Sequence, residues 1–127
     1  MIAEKTITSA YWITTILGAG LLFIGGLLFI THGEQQVAEM KHLGYPVYFL
    51  IFLGVGRILG AITIVIPRFP RLKEWAYAGF VFDLIGASAS HTLASDGPVQ
   101  IASPLIFLAL VITSWALRPA SRKLKVQ

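Results

Sequence analysis

No cysteine occurs anywhere in the 127 residues. Disulfides, thiolate metal ligands and thiol redox chemistry by this chain are therefore excluded. Charge is the second scarcity. Asp, Glu, Lys and Arg make up 13% of the sequence, about half of the roughly 25% usual in a soluble domain. The sequence also lacks a helical HExxH, a phosphate-cradling glycine loop and a nucleophile placed beside its base, so no catalytic residue can be named.

Apolar surface takes the place of charge. Hydrophobic residues reach 56%, the mean hydropathy is +0.76, and the apolar residues fall in long runs. Lipid rather than water is the expected solvent. The net charge of +4 comes from basic residues set between the runs rather than on one face. That placement fits anionic lipid headgroups, and nucleic-acid binding has no other support. The length makes one domain, residues 1–127.

Four stretches approach or exceed the ~20 apolar residues needed to cross a hydrocarbon core of ~30 Å. They run from about 7 to 30, 47 to 66, 75 to 94 and 99 to 117. Pro67 and Pro70 close the second, and the Asp96-Gly97-Pro98 turn divides the third from the fourth. Pro104 lies inside the fourth. A helix starting near Pro98 or Val99 and bent at Pro104 is expected, with an interfacial Gln100–Ser103 segment as the alternative. The first stretch exceeds the roughly 7–15 residues of a signal-peptide core and no clear cleavage site follows it, so it is expected to be retained. The predicted fold is thus all-α, a membrane four-helix bundle in the cell membrane.

Four spans place both termini and the middle loop on one side. That side carries Lys5, Arg68, Arg71, Lys73, Arg118, Arg122, Lys123 and Lys125, and the other carries Lys41 alone. Positive charge is retained in the cytoplasm, so both termini are expected there. Trp12, Trp75 and Trp115 all fall towards the same face, as interfacial anchors should.

Two ionisable residues fall near mid-span, Arg57 and Asp83. Each costs about 2.5–3.5 kcal/mol at a helix centre on insertion scales, so neither should face lipid unpaired. Arg57 lies about 15 Å from the outer edge and Asp83 about 16–17 Å, at 1.5 Å per residue. An ion pair between them is predicted. It can be purely structural, fixing which helix faces meet, or it can orient a polar ligand group; the sequence leaves both open. Asp83, Ala87, Ser90 and His91 share one stripe, which makes Ser90 and His91 candidates for the entrance to a polar pocket. The Gly56/Gly60 spacing, and Gly18, Gly25 and Gly26, are expected to serve helix packing. His32, His42 and His91 lie near Glu34, Glu39 and Asp96, but their spacing matches no defined metal motif, so no metal site is assigned.

Several segments are familiar together. They include Leu43-Gly44-Tyr45-Pro46, Gly56-Arg57-Ile58-Leu59-Gly60, Phe82-Asp83-Leu84-Ile85-Gly86-Ala87 with Ser90-His91, and Pro104-Leu105-Ile106-Phe107. The most specific is Lys73-Glu74-Trp75-Ala76-Tyr77-Ala78-Gly79. On these residues the chain resembles the DoxX-like family of small membrane proteins. The resemblance implies a four-helix membrane bundle. Its relatives include a subunit of a thiosulfate:quinone oxidoreductase, components of membrane oxidoreductase complexes and an assembly chaperone for receptor channels. Position 57 is often Lys in similar sequences and is Arg here, so a mechanism needing a deprotonatable lysine does not carry over.

Three functions are therefore weighed. The first is an accessory component of a membrane oxidoreductase that holds a quinone or similar lipophile between its helices, with Arg57 donating to a ligand oxygen and Asp83 orienting it. No flavin, haem or iron–sulfur site is evident, so a bound quinone is the only cofactor considered. The second is a non-enzymatic factor that assists assembly of another membrane protein or binds lipid. The third is a proton-coupled exporter of small cations, which at this size would require a homo-oligomer. Expected partners are membrane lipids and a membrane oxidoreductase or other membrane protein.

Overall fold

The computed structural model describes residues 2–124, which leaves Lys125 of the basic set outside it. Helices α1 (Ile2–Ile30), α2 (Glu34–Leu43), α3 (Phe49–Val65), α4 (Pro70–Leu93) and α5 (Pro98–Ala116) follow in order, and a 3-10 turn covers Ala120–Arg122. No strand occurs among the described residues, so the all-α expectation holds. Helices α1 and α5 are long and apolar enough to cross a membrane, whereas α3 is apolar but only 17 residues long.

The four longer helices surround one core. α1 packs on α3 and α5, and α4 packs on the same two. The stripe that α1 buries is Tyr11, Thr15, Gly18, Ala19, Leu22 and Gly26, the spacing of one helical face. Ala19 and Leu22 meet Ala61, Ile64, Phe80, Leu84 and Val111 from the other helices. Within this core Thr15 Oγ1 and Ser114 Oγ are 2.5 Å apart, and Tyr77 Oη is 2.8 Å from the same Ser114 oxygen. Hydroxyls from α1, α4 and α5 thus satisfy one another where an unpaired polar group would be costly.

α1 and α3 approach backbone to backbone. A Cβ on Gly26 would lie 2.9 Å from the Gly54 carbonyl oxygen, and one on Gly54 would lie 2.8 Å from that of Gly26. The expected Gly56/Gly60 packing pair divides. Gly60 accommodates the Phe80 ring, 2.8 Å from a Cβ there, while Gly56 faces open space. The close crossing uses Gly54 because that residue points at α1.

The helices cover the four expected stretches, but α4, expected as the third span, does not reach the length and hydropathy that α1 and α5 reach. The fourth stretch is one helix from Pro98 through Pro104 to Ala116, so the interfacial alternative is not taken. Pro104 supplies no N–H to the helix, and one nearby carbonyl, that of Ile101, accepts a 2.9 Å bond from Ser88 Oγ of α4. Helix α2 falls between the first two expected spans, where no element is predicted. Its polar sequence forms ten helical residues and ends at Gly44, whose φ of 84° makes a left-handed C-cap. Arg68 and Phe69 (φ 72° and 55°) form the tight turn that reverses the chain between α3 and α4.

That turn leaves the last carbonyls of α3 without helical partners. Lys73 Nζ donates to the carbonyls of Thr63 (2.6 Å) and Ile66. Arg122 donates to Ile64 (2.9 Å), Ile66 (3.1 Å) and Val65 (3.1 Å). Two cations thus clasp the negative end of one helix dipole. Beside them Glu74 accepts 2.9 Å from Trp115 Nε1 and lies 3.1 Å from Arg118 Nε, which ties α4 to the end of α5.

Gly54→Ala should destabilise the protein by about 1–3 kcal/mol, because the added methyl meets backbone that cannot yield. Gly56→Ala should stay within about 0.5 kcal/mol. Thermal unfolding of the two variants in the same detergent checks the contrast.

Candidate functional site

Arg57 and Asp83 stand opposite each other on α3 and α4. Arg57 Nε donates to Asp83 Oδ2 at 2.7 Å and Nη2 donates to Oδ1 at 2.9 Å, a two-pronged contact that a lysine could not form. The Phe29 ring of α1 covers the guanidinium, 4.4 Å from Cζ to its centroid. Gly25 makes room on the same side, since a Cβ there would lie 3.3 Å from Nη1. Gly25, expected as a packing residue, therefore gives space to a charged group.

The pair is not sealed. It forms a wall of two cavities along the seam between α3 and α4. One, of about 310 Å³, runs towards the basic end past Gly56, Gly79 and Trp75. The other, of about 240 Å³, runs towards the α2 end and is lined by Phe29, Met40, Tyr45, Gly86, Ser90 and His91, among others. All four residues singled out in the sequence, Arg57, Asp83, Ser90 and His91, line this second cavity.

Ser90 and His91 are fixed in different ways. Ser90 Oγ donates to the Gly86 carbonyl at 2.7 Å, so in its 2.6 Å contact with Tyr45 the phenol is the donor. His91 is held between carboxylates. Its Nδ1 is 2.6 Å from Asp96 Oδ2 and its Nε2 is 2.8 Å from Glu39 Oε1. The other Asp96 oxygen meets His42 Nε2 at 2.6 Å. The grouping of these histidines and carboxylates towards one end is expected from the sequence, but which of them touch is not, because His42 and Asp96 are 54 positions apart. His32 stands apart, with Nδ1 3.2 Å from the Ile30 carbonyl. Among the described residues, no three His, Asp or Glu side chains are arranged to hold a metal ion.

The model of the DoxX-like family matches residues 13–114. The chain belongs to the DoxX-like family. The matched segment of this DoxX-like chain contains both sides of the α3–α4 seam and the Glu39–His91–Asp96–His42 cluster. No curated protein and no solved structure matches it.

Asp96 lies in the α4–α5 turn, where the bonds from His91 and then His42 hold its carboxyl below the usual value of 3.8. A lowered folded-state value means that the stabilisation is present above pH 3.8 and is lost as pH falls through the lower, folded value. In this DoxX-like protein the tie from α2 to the α4–α5 turn should therefore persist at pH 4. Carbon-detected NMR of the Asp96 carboxyl checks this; a midpoint at or above 3.8 would contradict it.

Proposed function

We propose that this DoxX-like chain is a multi-pass four-helix membrane protein that holds the polar head of a lipophile against Arg57, as an accessory component of a membrane oxidoreductase. The observation that carries this reading is that the Arg57–Asp83 pair walls two cavities on the α3–α4 seam instead of being packed shut. A pair needed only to align helices is expected to be sealed by side chains, since open space beside it forfeits packing.

Lipid as the solvent is supported by the outward faces. Ile13, Ile16, Ile24, Phe52, Leu59, Phe82 and Ile106, spread over all four longer helices, are each more than half exposed, which suits a lipid surrounding. The two ends differ in charge. Lys5, Arg68, Arg71, Lys73, Arg118, Arg122 and Lys123 gather at one end and Lys41 at the other, which favours the basic end in the cytoplasm. The absence of cysteine makes a direct test convenient. A membrane-impermeant maleimide applied to intact cells should label Gln35→Cys and leave Ser121→Cys unlabelled until the membrane is opened; the reverse pattern would overturn the orientation.

The ligand class follows from the lining. A cavity of about 240 Å³ lies just under the range of about 300–1,000 Å³ typical of small-molecule pockets, so it suits one ring rather than a large planar cofactor. Phe29, Met40, Leu53 and Phe82 give the cavity apolar walls, and Arg57, Tyr45, Ser90 and His91 set polar groups among them, a lining that fits a ring bearing oxygens, with a quinone as the best-matched lipophile. Arg57 supplies hydrogen bonds without ever giving up its proton, so its part is to hold and polarise. For the same reason Asp83, gripped by two guanidinium bonds, is a poor proton carrier, which argues against cation export.

An assembly role has support of its own. Gly56 and Gly79 leave open space in the larger cavity between the exposed Phe52 and Trp75, a surface that a neighbouring helix could enter. Native-membrane extraction followed by mass spectrometry separates the two roles. A quinone or other lipophile should co-purify with the wild type and be lost from Arg57→Met/Asp83→Leu, while Asp83→Asn alone should cost about 3–5 kcal/mol of stability by leaving Arg57 unpaired. A stoichiometric membrane protein with no small molecule would transfer support to assembly. A double variant that folds and keeps its lipophile would remove Arg57 and Asp83 from the site.

A further inference from the structure

The larger cavity on the α3–α4 seam has the depth of one membrane leaflet. On α4 its lining runs from Leu72 through Trp75 and Gly79 to Asp83, a helical rise of about 16 Å. Half of a hydrocarbon core of ~30 Å is about 15 Å. The cavity is open along its side. Phe52 and Trp75 at its edges are 66% and 68% exposed, and a Cβ on Gly56 or Gly79 would meet nothing within 4 Å. Below Trp75 the walls are apolar until the Arg57–Asp83 pair at the floor. About 310 Å³ spread along that length suits one hydrocarbon chain better than a helix about 10 Å across.

The mouth of this groove is cationic. Arg68 lies in the turn that joins α3 to α4, and Arg71 stands one turn before Trp75 on the same face of α4. Both are exposed. Other cations at this end are already engaged, Lys73 and Arg122 with carbonyls of α3 and Arg118 with Glu74. Among the described residues neither Arg68 nor Arg71 has a side-chain hydrogen bond or an ion pair, and the Trp75 indole N–H has no acceptor, whereas that of Trp115 reaches Glu74. No Asp or Glu occurs between Glu39 and Glu74 in the sequence to offset the two guanidiniums. A cationic mouth over an apolar groove one leaflet deep complements a molecule with an anionic head and a hydrocarbon tail.

We infer that this groove binds one anionic phospholipid, with the phosphate held by Arg68 and Arg71 and one acyl chain laid past Gly56 and Gly79 to the Arg57–Asp83 pair. Guanidinium groups bind phosphate oxygens by paired, charge-assisted hydrogen bonds, and exposed basic residues at a membrane surface draw anionic lipids. Trp75 lies just below the arginines, where its indole N–H meets the ester oxygens of the lipid and its ring meets the chain. The site rests on the membrane reading proposed above. It leaves the smaller cavity to the lipophile and stands whether or not that cavity is filled.

The test titrates the full-length protein in detergent with dimyristoyl phosphatidylglycerol or dimyristoyl phosphatidylcholine. Native mass spectrometry counts the bound lipids and the protein copies. The wild type should bind one phosphatidylglycerol at least about tenfold more tightly than phosphatidylcholine. Arg68→Gln/Arg71→Gln should bring the two lipids within about twofold of each other. Lys5→Gln/Lys123→Gln removes two charges from the same end and should change the preference by less than about twofold, because those residues lie outside the mouth. Gly56→Leu/Gly79→Leu fills the groove and should weaken phosphatidylglycerol binding at least about fivefold with both arginines in place; a melting curve verifies that this variant is folded. The exposed arginine and lysine pairs decide the question even if it is not. Equal loss of preference in those two pairs would show only the overall charge of that end and would overturn the site. Phosphatidylglycerol binding that survives filling of the groove would overturn it as well. Protein dimers that dissociate when the groove is filled would assign it to a second copy of the chain instead.

Discussion

Two opposite charges meeting between apolar helices set the terms for the rest of this structure. A guanidinium and a carboxylate in such surroundings are tolerable only when each satisfies the other, and the geometry required is narrow. Two parallel hydrogen bonds from Arg57 to Asp83 fix the rotation of α3 relative to α4 as well as their register. α1 then conforms to that arrangement. Phe29 covers the guanidinium and Gly25 leaves room for it, while one turn away the Gly26–Gly54 crossing brings the two backbones together. The same pair holds α3 and α4 apart enough to leave space on either side of it. Packing and a candidate site thus come from one interaction.

Helix ends are handled by the same logic of satisfying polar groups locally. At the basic end Lys73 and Arg122 take up carbonyls that α3 leaves free. At the other end the reversal into α3 is made by the Gly44 cap and by Tyr45 reaching Ser90. The Lys73-Glu74 dipeptide of the family-like segment divides its work between neighbours. Lys73 faces α3, and Glu74 faces Trp115 and Arg118 at the end of α5. Adjacent positions on a helix point about 100° apart, so one dipeptide can bind helices on two sides.

How much was legible from sequence depends on the range of the interaction. Long apolar runs gave the all-α class, because their length and punctuation by Pro and Gly are local signals. Helix rise alone put Arg57 and Asp83 at similar depths, and the two side chains meet. Helix α2 escaped notice because its ten residues are short and polar, and its amphipathic face becomes visible only when Met40 is buried against other elements. Glycine spacing suggested Gly56 and Gly60 for packing, whereas rotation about the helix axis, which spacing does not specify, selects Gly54 and Gly60. The Thr15–Ser114–Tyr77 hydroxyls and the Arg122 clasp depend on residues far apart in the chain, where no local pattern forms. The histidines and carboxylates around Asp96 could be placed at one end of the molecule, but their pairing has the same long-range character.

The unequal lengths of the helices have a consequence for the surroundings. At 17 residues α3 is about 25 Å long, against about 36 Å for the 24 residues of α4. In the bilayer arrangement proposed here, α3 would match a hydrocarbon layer a few ångströms thinner than average, while its neighbours match a full one. Hydrophobic mismatch of this kind is relieved by lipids that pinch inward beside the short helix. The pinch would fall along the α3 side of the seam, so the molecule would distort the membrane asymmetrically, thinnest beside the helix that bears Arg57.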